Sequence, residues 1–183
     1  MFNYATKEIM MQITNNIMMI RPVSFRYNEE TSVNNYYQRS SDLDDKNTQD
    51  HALIEFDNFV DKLKSSGVNV IVFQDTLHPH TPDSIFPNNW ISFHGNGRIG
   101  LYPMYALNRR NERRLDILDS LTEKYNFIIN DIDDFTSFEK NDQFLEGTGS
   151  MVLDRENKIS YVALSERSDK NIVENFCHNF GYS

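Results

Sequence analysis

Trp90-Ile91-Ser92-Phe93-His94-Gly95-Asn96-Gly97-Arg98-Ile99-Gly100-Leu101-Tyr102 reads as a β-hairpin, two runs of apolar and aromatic residues meeting at an Asn-Gly turn. Asn-Gly suits the tight turn whose twist matches that of the flanking strands, because both residues accept positive φ. Upstream, Ala52, Phe56, Phe59, Val60 and Leu63 recur at helical spacing between His51 and Ser66. Gly67 is placed to close that helix, and Val68 to Phe73 reads as a strand. Downstream, Leu115, Leu118, Leu121 and Tyr125 share one face of a second helix, and Asn126-Phe127-Ile128-Ile129 is the strand expected next. Asp131 to Asp142 then reads as an acidic loop. A second hairpin joins Ser150–Leu153 to Ile159–Leu164, followed by a third helix lined by Ile172, Val173, Phe176, Cys177 and Phe180. The helices begin near His51, Arg109 and Ser168, spacings of 58 and 59 residues. A unit of strand, turn, strand, helix, strand repeated at that period implies an α/β fold of repeated ββαβ units. Residues 1–183 are expected to form one domain, and Ser183 falls inside the third copy just after the helix-closing Gly181. The expectation is therefore the N-terminal part of a longer protein.

Near the start, Asn16-Ile17-Met18-Met19-Ile20 reads as a buried strand that Arg21-Pro22 closes, since proline donates no ladder hydrogen bond. Tyr27 to Asn47 is polar and reads as a long loop. With 18 basic and 27 acidic residues the net charge is −9, which argues against nucleic acid or an anionic membrane as partner. The single cysteine excludes an internal disulfide. No signal-peptide pattern occupies the first residues, and no apolar run approaches the ~20 residues of a membrane span. These features lead to the expectation of a cytoplasmic protein.

The repeat also marks a site. Asn88-Asn89 and Glu146-Gly147-Thr148-Gly149 stand at the same place in their units, just ahead of a first hairpin strand. In a radially repeated fold such positions face a common axis, where polar groups converge on a polar ligand.

Three ordered segments resemble a known superfamily: Thr81-Pro82-Asp83-Ser84-Ile85-Phe86-Pro87-Asn88-Asn89-Trp90, Asn108-Arg109-Arg110-Asn111-Glu112-Arg113-Arg114 and Phe144-Leu145-Glu146-Gly147-Thr148-Gly149-Ser150. They are similar to the guanidino-group-modifying enzymes, which include arginine deiminase, dimethylarginine dimethylaminohydrolase and the amidinotransferases. Within these the chain looks most like the citrulline utilization hydrolase or amidinotransferase-like branch. The resemblance implies a pentein-type, five-bladed α/β propeller, of which about three blades lie in this chain. It also implies attack by a cysteine thiolate on the guanidino or ureido carbon, with a histidine moving protons and carboxylates clamping the substrate nitrogens.

Carried over by position, Glu146 corresponds to the acid that partners the catalytic histidine. Asp83, Asn88 and Asn89 correspond to the segment gripping substrate nitrogens. Arg109 (or its neighbour Arg110) and Arg167 fall near arginines that bind the substrate α-carboxylate, a role suited to bidentate pairing. The catalytic histidine and cysteine of the family normally come after residue 183. Asn88 and Asn89 replace carboxylates found in many relatives, and an amide both donates and accepts. The pair is therefore expected to bias the site toward ureido or partly neutral substrates, citrulline among them. Neither a metal nor an organic cofactor is called for by this chemistry. The implied partner is a guanidino or ureido amino acid, and self-association into a homo-oligomer stays open.

Each of these residues has a plainer explanation. Cys177 and His178 are helix neighbours about 100° apart, so Cys177 reads as core. His78 and His80 lack a third ligand at a usual spacing and read as loop residues. His94 reads as a strand-end residue. Glu146 is alternatively a turn cap and Asn88-Asn89 turn chemistry after Pro87. The arginines from 109 to 114 read mostly as solvating a helix. The rival to a hydrolase is a non-catalytic, truncated binding module that pairs with a complementary chain.

Overall fold

The computed structural model describes residues 13–36, 38, 39 and 44–183. β1 (Asn16–Arg21) is the expected strand, though only Ile20 is buried and Ile17, Met18 and Met19 are half-buried; α1 (Glu29–Ser32) and α2 (Asp45–Ser65) follow. The stretch read as one polar loop thus holds a helical turn and the start of a long helix. Asn28 caps α1 by accepting from Glu30 N. Asp44 caps α2 by accepting from Asn47 N at 2.8 Å, so the helix starts ahead of His51. That first turn is wholly polar, so apolar spacing could not reveal it. Within α2 only Phe56 and Val60 are buried, while Phe59 is 53% exposed. β2 (Asn69–Gln74) returns parallel to β1, with Asn16 opposite Asn69 and Arg21 opposite Gln74.

The middle sheet carries the complete ββαβ unit. β3 (Ile91–Phe93) and β4 (Arg98–Leu101) form the expected hairpin, with Gly97 at φ +74 in the turn. The helical region beyond it is broken into α3 (Leu107–Arg110) and α4 (Asp116–Tyr125). The face that α4 buries is Ile117, Leu118 and Leu121, whereas Leu115 and Tyr125 are exposed. The strand expected at Asn126–Ile129 is absent: Asn126 adopts a left-handed conformation that closes α4, and Phe127 and Ile129 pack on the core from a loop. The strand is instead β5 (Asp131–Asp134), parallel to β4, within the stretch read as an acidic loop. Its acidic sequence is accommodated because Arg98 on β4 grips Asp133 through Nε and Nη2 at 3.0 and 2.7 Å. An ion pair across the strands replaces the apolar alternation that sequence reading looks for.

α5 (Gly147–Ser150) leads into the second hairpin, β6 (Met151–Asp154) and β7 (Ile159–Val162). α6 (Lys170–Phe180) follows, capped by Asp169 and closed by Gly181 at φ +68. The sheets are therefore β1-β2, β3-β4-β5 and β6-β7, giving an α/β fold of three small sheets. The helix starts at Asp45, Asp116 and Lys170 are unevenly spaced, so the expected regular period is only approximate. Among the described residues no helix is long and apolar enough to cross a membrane.

Two apolar clusters join the sheets. Ile20 and Ile71 meet Trp90, Ile91, Ile99, Leu101 and Met104, with α4 beneath. Tyr102, Phe135, Leu145, Met151, Ile172 and Phe176 bring the middle sheet against the third. His94 closes that second seam. Its ring lies 4.2 Å from that of Phe180, with Ser92 Oγ 2.9 Å from Nε2 and the Arg155 guanidinium near Nδ1. Burial pushes its pKa down to about 3, aided by repulsion from Arg155, Lys158 and Arg98.

His94 thus stays neutral when folded but protonates near pH 6.5 when unfolded, so folding stability is lost as pH falls below about 6.5. Between pH 7.5 and 5 its contribution falls by about 2 kcal/mol. Urea titrations at both pH values should show that the loss is smaller by about that amount in His94→Gln.

Candidate active site

The site begins with a turn. Thr81, Asp83 and Ser84 are buried, and Pro87–Asn89 forms a single 3-10 turn, with Trp90 buried behind it. Proline fits the start of such a turn, where no N–H donor is required. The turn sends Asn89 inward, 8% exposed, and leaves Asn88 exposed. Asn89 Nδ2 donates to Glu146 Oε2 at 3.1 Å, and the backbone N–H of Tyr105 donates to Glu146 Oε1, also at 3.1 Å. Glu146 itself is 1% exposed.

The glycines around Glu146 permit this approach. A Cβ on Gly149 would lie 2.5 Å from Asn89 Nδ2, and one on Gly147 would collide with the Asn88 carbonyl. Ser150 Oγ and Glu146 N both donate to the Arg167 carbonyl, which anchors Arg167 beside the same carboxylate. Arg167 Nη1 lies 3.5 Å from Glu146 Oε2, with the arginine side chain 23% exposed.

α3 supplies the centre of the cluster. Arg109 is 4% exposed and donates from Nε and Nη2 to the two oxygens of Glu112, at 2.9 and 3.0 Å. Its Nε is 3.8 Å from Asp83 Oδ2, and its Nη1 3.9 Å from Glu146 Oε2. Asp83 Oδ2 in turn accepts from Asn28 Nδ2 at 2.7 Å and from Thr31 Oγ1 at 3.2 Å. Three carboxylates therefore surround one buried guanidinium, with a second at the rim. Burial pushes Glu112 up to about 7 against the pull of Arg109, and repulsion from Asp83 and Glu146 adds to the rise. For Arg109 burial opposes the charge, yet its attraction to Glu112, Asp83 and Glu146 outweighs this and holds its pKa above the usual value. A buried site with more carboxylates than cations favours a positively charged or strongly N–H-donating ligand.

Of the residues singled out in the sequence, Asp83, Asn89, Arg109, Glu146 and Arg167 converge. Asn88 offers the cluster only its backbone: its carbonyl accepts from Thr148 Oγ1 at 3.4 Å. Arg110 is engaged outside the cluster, its Nε donating to Met104 O and its guanidinium 3.6 Å from Glu139. The arginines from 109 to 114 do not simply solvate a helix: Arg109 is buried, Arg113 pairs with Glu139, and Arg114 pairs with Asp116 and Gln74 O. Sequence reasoning missed Asn28, Thr31 and Glu112. The Arg109–Glu112 spacing of three residues, which brings side chains together on a helix, was the available signal for the last. Cys177 lies partly buried against the second apolar cluster, and burial raises its thiol pKa, opposite to what a nucleophile needs. Among the described residues no group of His, Cys, Asp and Glu is placed to hold a metal ion. An apolar groove of about 650 Å³ between α2 and Ile85–Phe86 adjoins the cluster but holds none of its charged groups.

Residues 21–183 match the family described as eukaryotic N,N dimethylarginine dimethylhydrolase. The N-terminal domain of ArgZ, an arginine dihydrolase from cyanobacteria, superposes with a TM-score of 0.64 at 17% identity, over 92% of this chain and 55% of that one. A dimethylarginine dimethylaminohydrolase carrying an S-methyl-L-thiocitrulline adduct gives 0.59 at 13% identity, over 91% and 56%. AgrE in complex with L-arginine gives 0.61 at 17% identity, over 88% and 21%. At such identities these likenesses show the fold. The chain spans about half the length of the first two structures. No curated protein matches it by sequence. The chain belongs to the eukaryotic N,N-dimethylarginine dimethylhydrolase family, within the guanidino-group-modifying superfamily.

Because the space at Gly149 is filled by the Asn89 amide, Gly149→Ala should displace that amide from Glu146. Loss of one donor to a buried carboxylate should cost about 1–3 kcal/mol, read by urea titration at neutral pH.

Proposed function

We propose that this member of a family of guanidino-group hydrolases forms the substrate-gripping half of a pentein-type propeller that hydrolyses the guanidino or ureido carbon of an arginine-, citrulline- or dimethylarginine-like amino acid. The observation that carries this reading is the convergence of Asp83, Asn89, Arg109, Glu146 and Arg167, from four separate segments, on one buried cluster.

Asp83 and Asn89 supply acceptors for the N–H groups of a planar guanidino or ureido head. With Nδ2 of Asn89 committed to Glu146, its Oδ1 is the oxygen left for a ligand N–H. Arg167, at the rim, pairs with the substrate α-carboxylate, and Arg109 faces the same carboxylate from below. Glu146 orients the histidine that moves protons. That histidine and the thiolate come from the part of the relatives' length that this chain does not span. The thiolate adds to the central carbon, one C–N bond breaks as the departing amine takes a proton from the histidine, and water then releases the thiolate from the adduct. Clamping the flat head is necessary because a delocalised guanidinium is a poor electrophile. ArgZ is described as an arginine dihydrolase, and the matched family by its action on dimethylarginine, so both substrate classes belong in the assay.

The full-length protein should release ammonia or a methylamine from at least one of arginine, citrulline and dimethylarginine. Glu146→Gln should lower kcat by roughly 10²–10⁴-fold, the usual weight of a proton-transfer partner. Arg167→Ala should raise KM by about tenfold with a smaller effect on kcat, as expected for loss of a charge-assisted contact to the carboxylate. Steady-state assays of amine release check all three.

A further inference from the structure

The Arg109 guanidinium sits at the meeting point of Asp83, Glu112 and Glu146, and Glu112 is the one carboxylate of the three that hydrogen-bonds it. Nε and Nη2 each donate to one Glu112 oxygen, at 2.9 and 3.0 Å, and Nη2 also reaches the Phe86 carbonyl at 3.3 Å. Asp83 and Glu146 lie beyond hydrogen-bond distance, at 3.8 and 3.9 Å. Nη1, the end nearest Glu146, makes no hydrogen bond among the described residues. Two parallel N–H···O bonds fix a guanidinium plane in a way one contact cannot. Glu112 is buried, so its hold on Arg109 is little screened by solvent.

We propose that Glu112 is a positioning residue, whose two-point grip on Arg109 fixes that guanidinium plane so that Nη1 is presented to the anionic part of a guanidino or ureido amino-acid substrate. The proposal rests on the cluster being the substrate site. The grip requires the carboxylate form of Glu112. The charged groups facing Glu112 are Arg109, which favours that form, and Asp83 and Glu146, which oppose it. Because Glu112 titrates near 7, substrate KM should fall as pH rises through neutrality.

The test uses the full-length protein with Glu112→Gln and Glu112→Asp, each compared with the unmodified enzyme across pH 6 to 9. The expected result for Glu112→Gln is a KM roughly tenfold or more higher, kcat within about threefold, and no fall in KM through neutral pH. Glu112→Asp, which keeps the carboxylate, should recover most of the lost affinity and the pH dependence. An unchanged KM in Glu112→Gln overturns the proposal, as does an equal loss in both variants. If Glu112→Gln fails to fold, the pH profile decides: a KM of the unmodified enzyme that falls through neutrality, with the fall kept in Glu112→Asp, supports the proposal, and a KM flat from pH 6 to 9 in the unmodified enzyme overturns it. An unmodified enzyme that processes no guanidino or ureido compound would instead remove the functional reading beneath it.

Discussion

Glu146 keeps a carboxylate almost wholly out of water, next to two others, and the surrounding structure is arranged around that cost. An unpaired buried ion costs several kcal/mol, so every element that reaches this point brings a donor or a cation. The 3-10 turn at Pro87–Asn89 brings an amide, the backbone at Tyr105 an N–H, α3 the Arg109 guanidinium, and the segment before α6 brings Arg167. The short α3, separate from α4, presents Arg109 and Glu112 to each other and to the cluster. Gly149 leaves the space that the Asn89 amide fills. Such an arrangement contributes little to stability compared with apolar packing, which is a physical reason to connect it with binding.

The same cluster is where the acidic character of the chain becomes local. Net negative charge alone is a statement about the surface. Here it becomes specific, because Asp83, Glu112 and Glu146 are buried around a planar guanidinium that belongs to the chain itself. A protein that surrounds Arg109 in this way already has the donor and acceptor geometry that a guanidino head requires.

The legible part of the fold was the part governed by local chemistry. The Asn96-Gly97 hairpin, the strand ended by Pro22, and the apolar stripe of Ile172, Phe176 and Phe180 all follow from residue type and spacing. Elements whose stability comes from a distant partner were not legible. β5 is acidic and pairs through Arg98, more than thirty residues earlier. The start of α2 depends on the Asp44 cap and carries no apolar signal. The buried cluster was legible at Asp83, Asn89, Arg109 and Glu146 because they lie in three segments that resemble a known superfamily, and at Arg167 by its position relative to that superfamily alone. Asn28 and Thr31 were invisible because they reach Asp83 across more than fifty residues from a polar stretch without a pattern.

The measurement that bears most directly on this account is a crystal structure of the full-length protein with a bound guanidino or ureido amino acid. The account predicts the planar head against Asp83 and Asn89, within reach of Glu146, and the α-carboxylate paired with Arg167. A ligand seated in the apolar groove between α2 and Phe86, with the buried cluster unchanged and untouched, would contradict it.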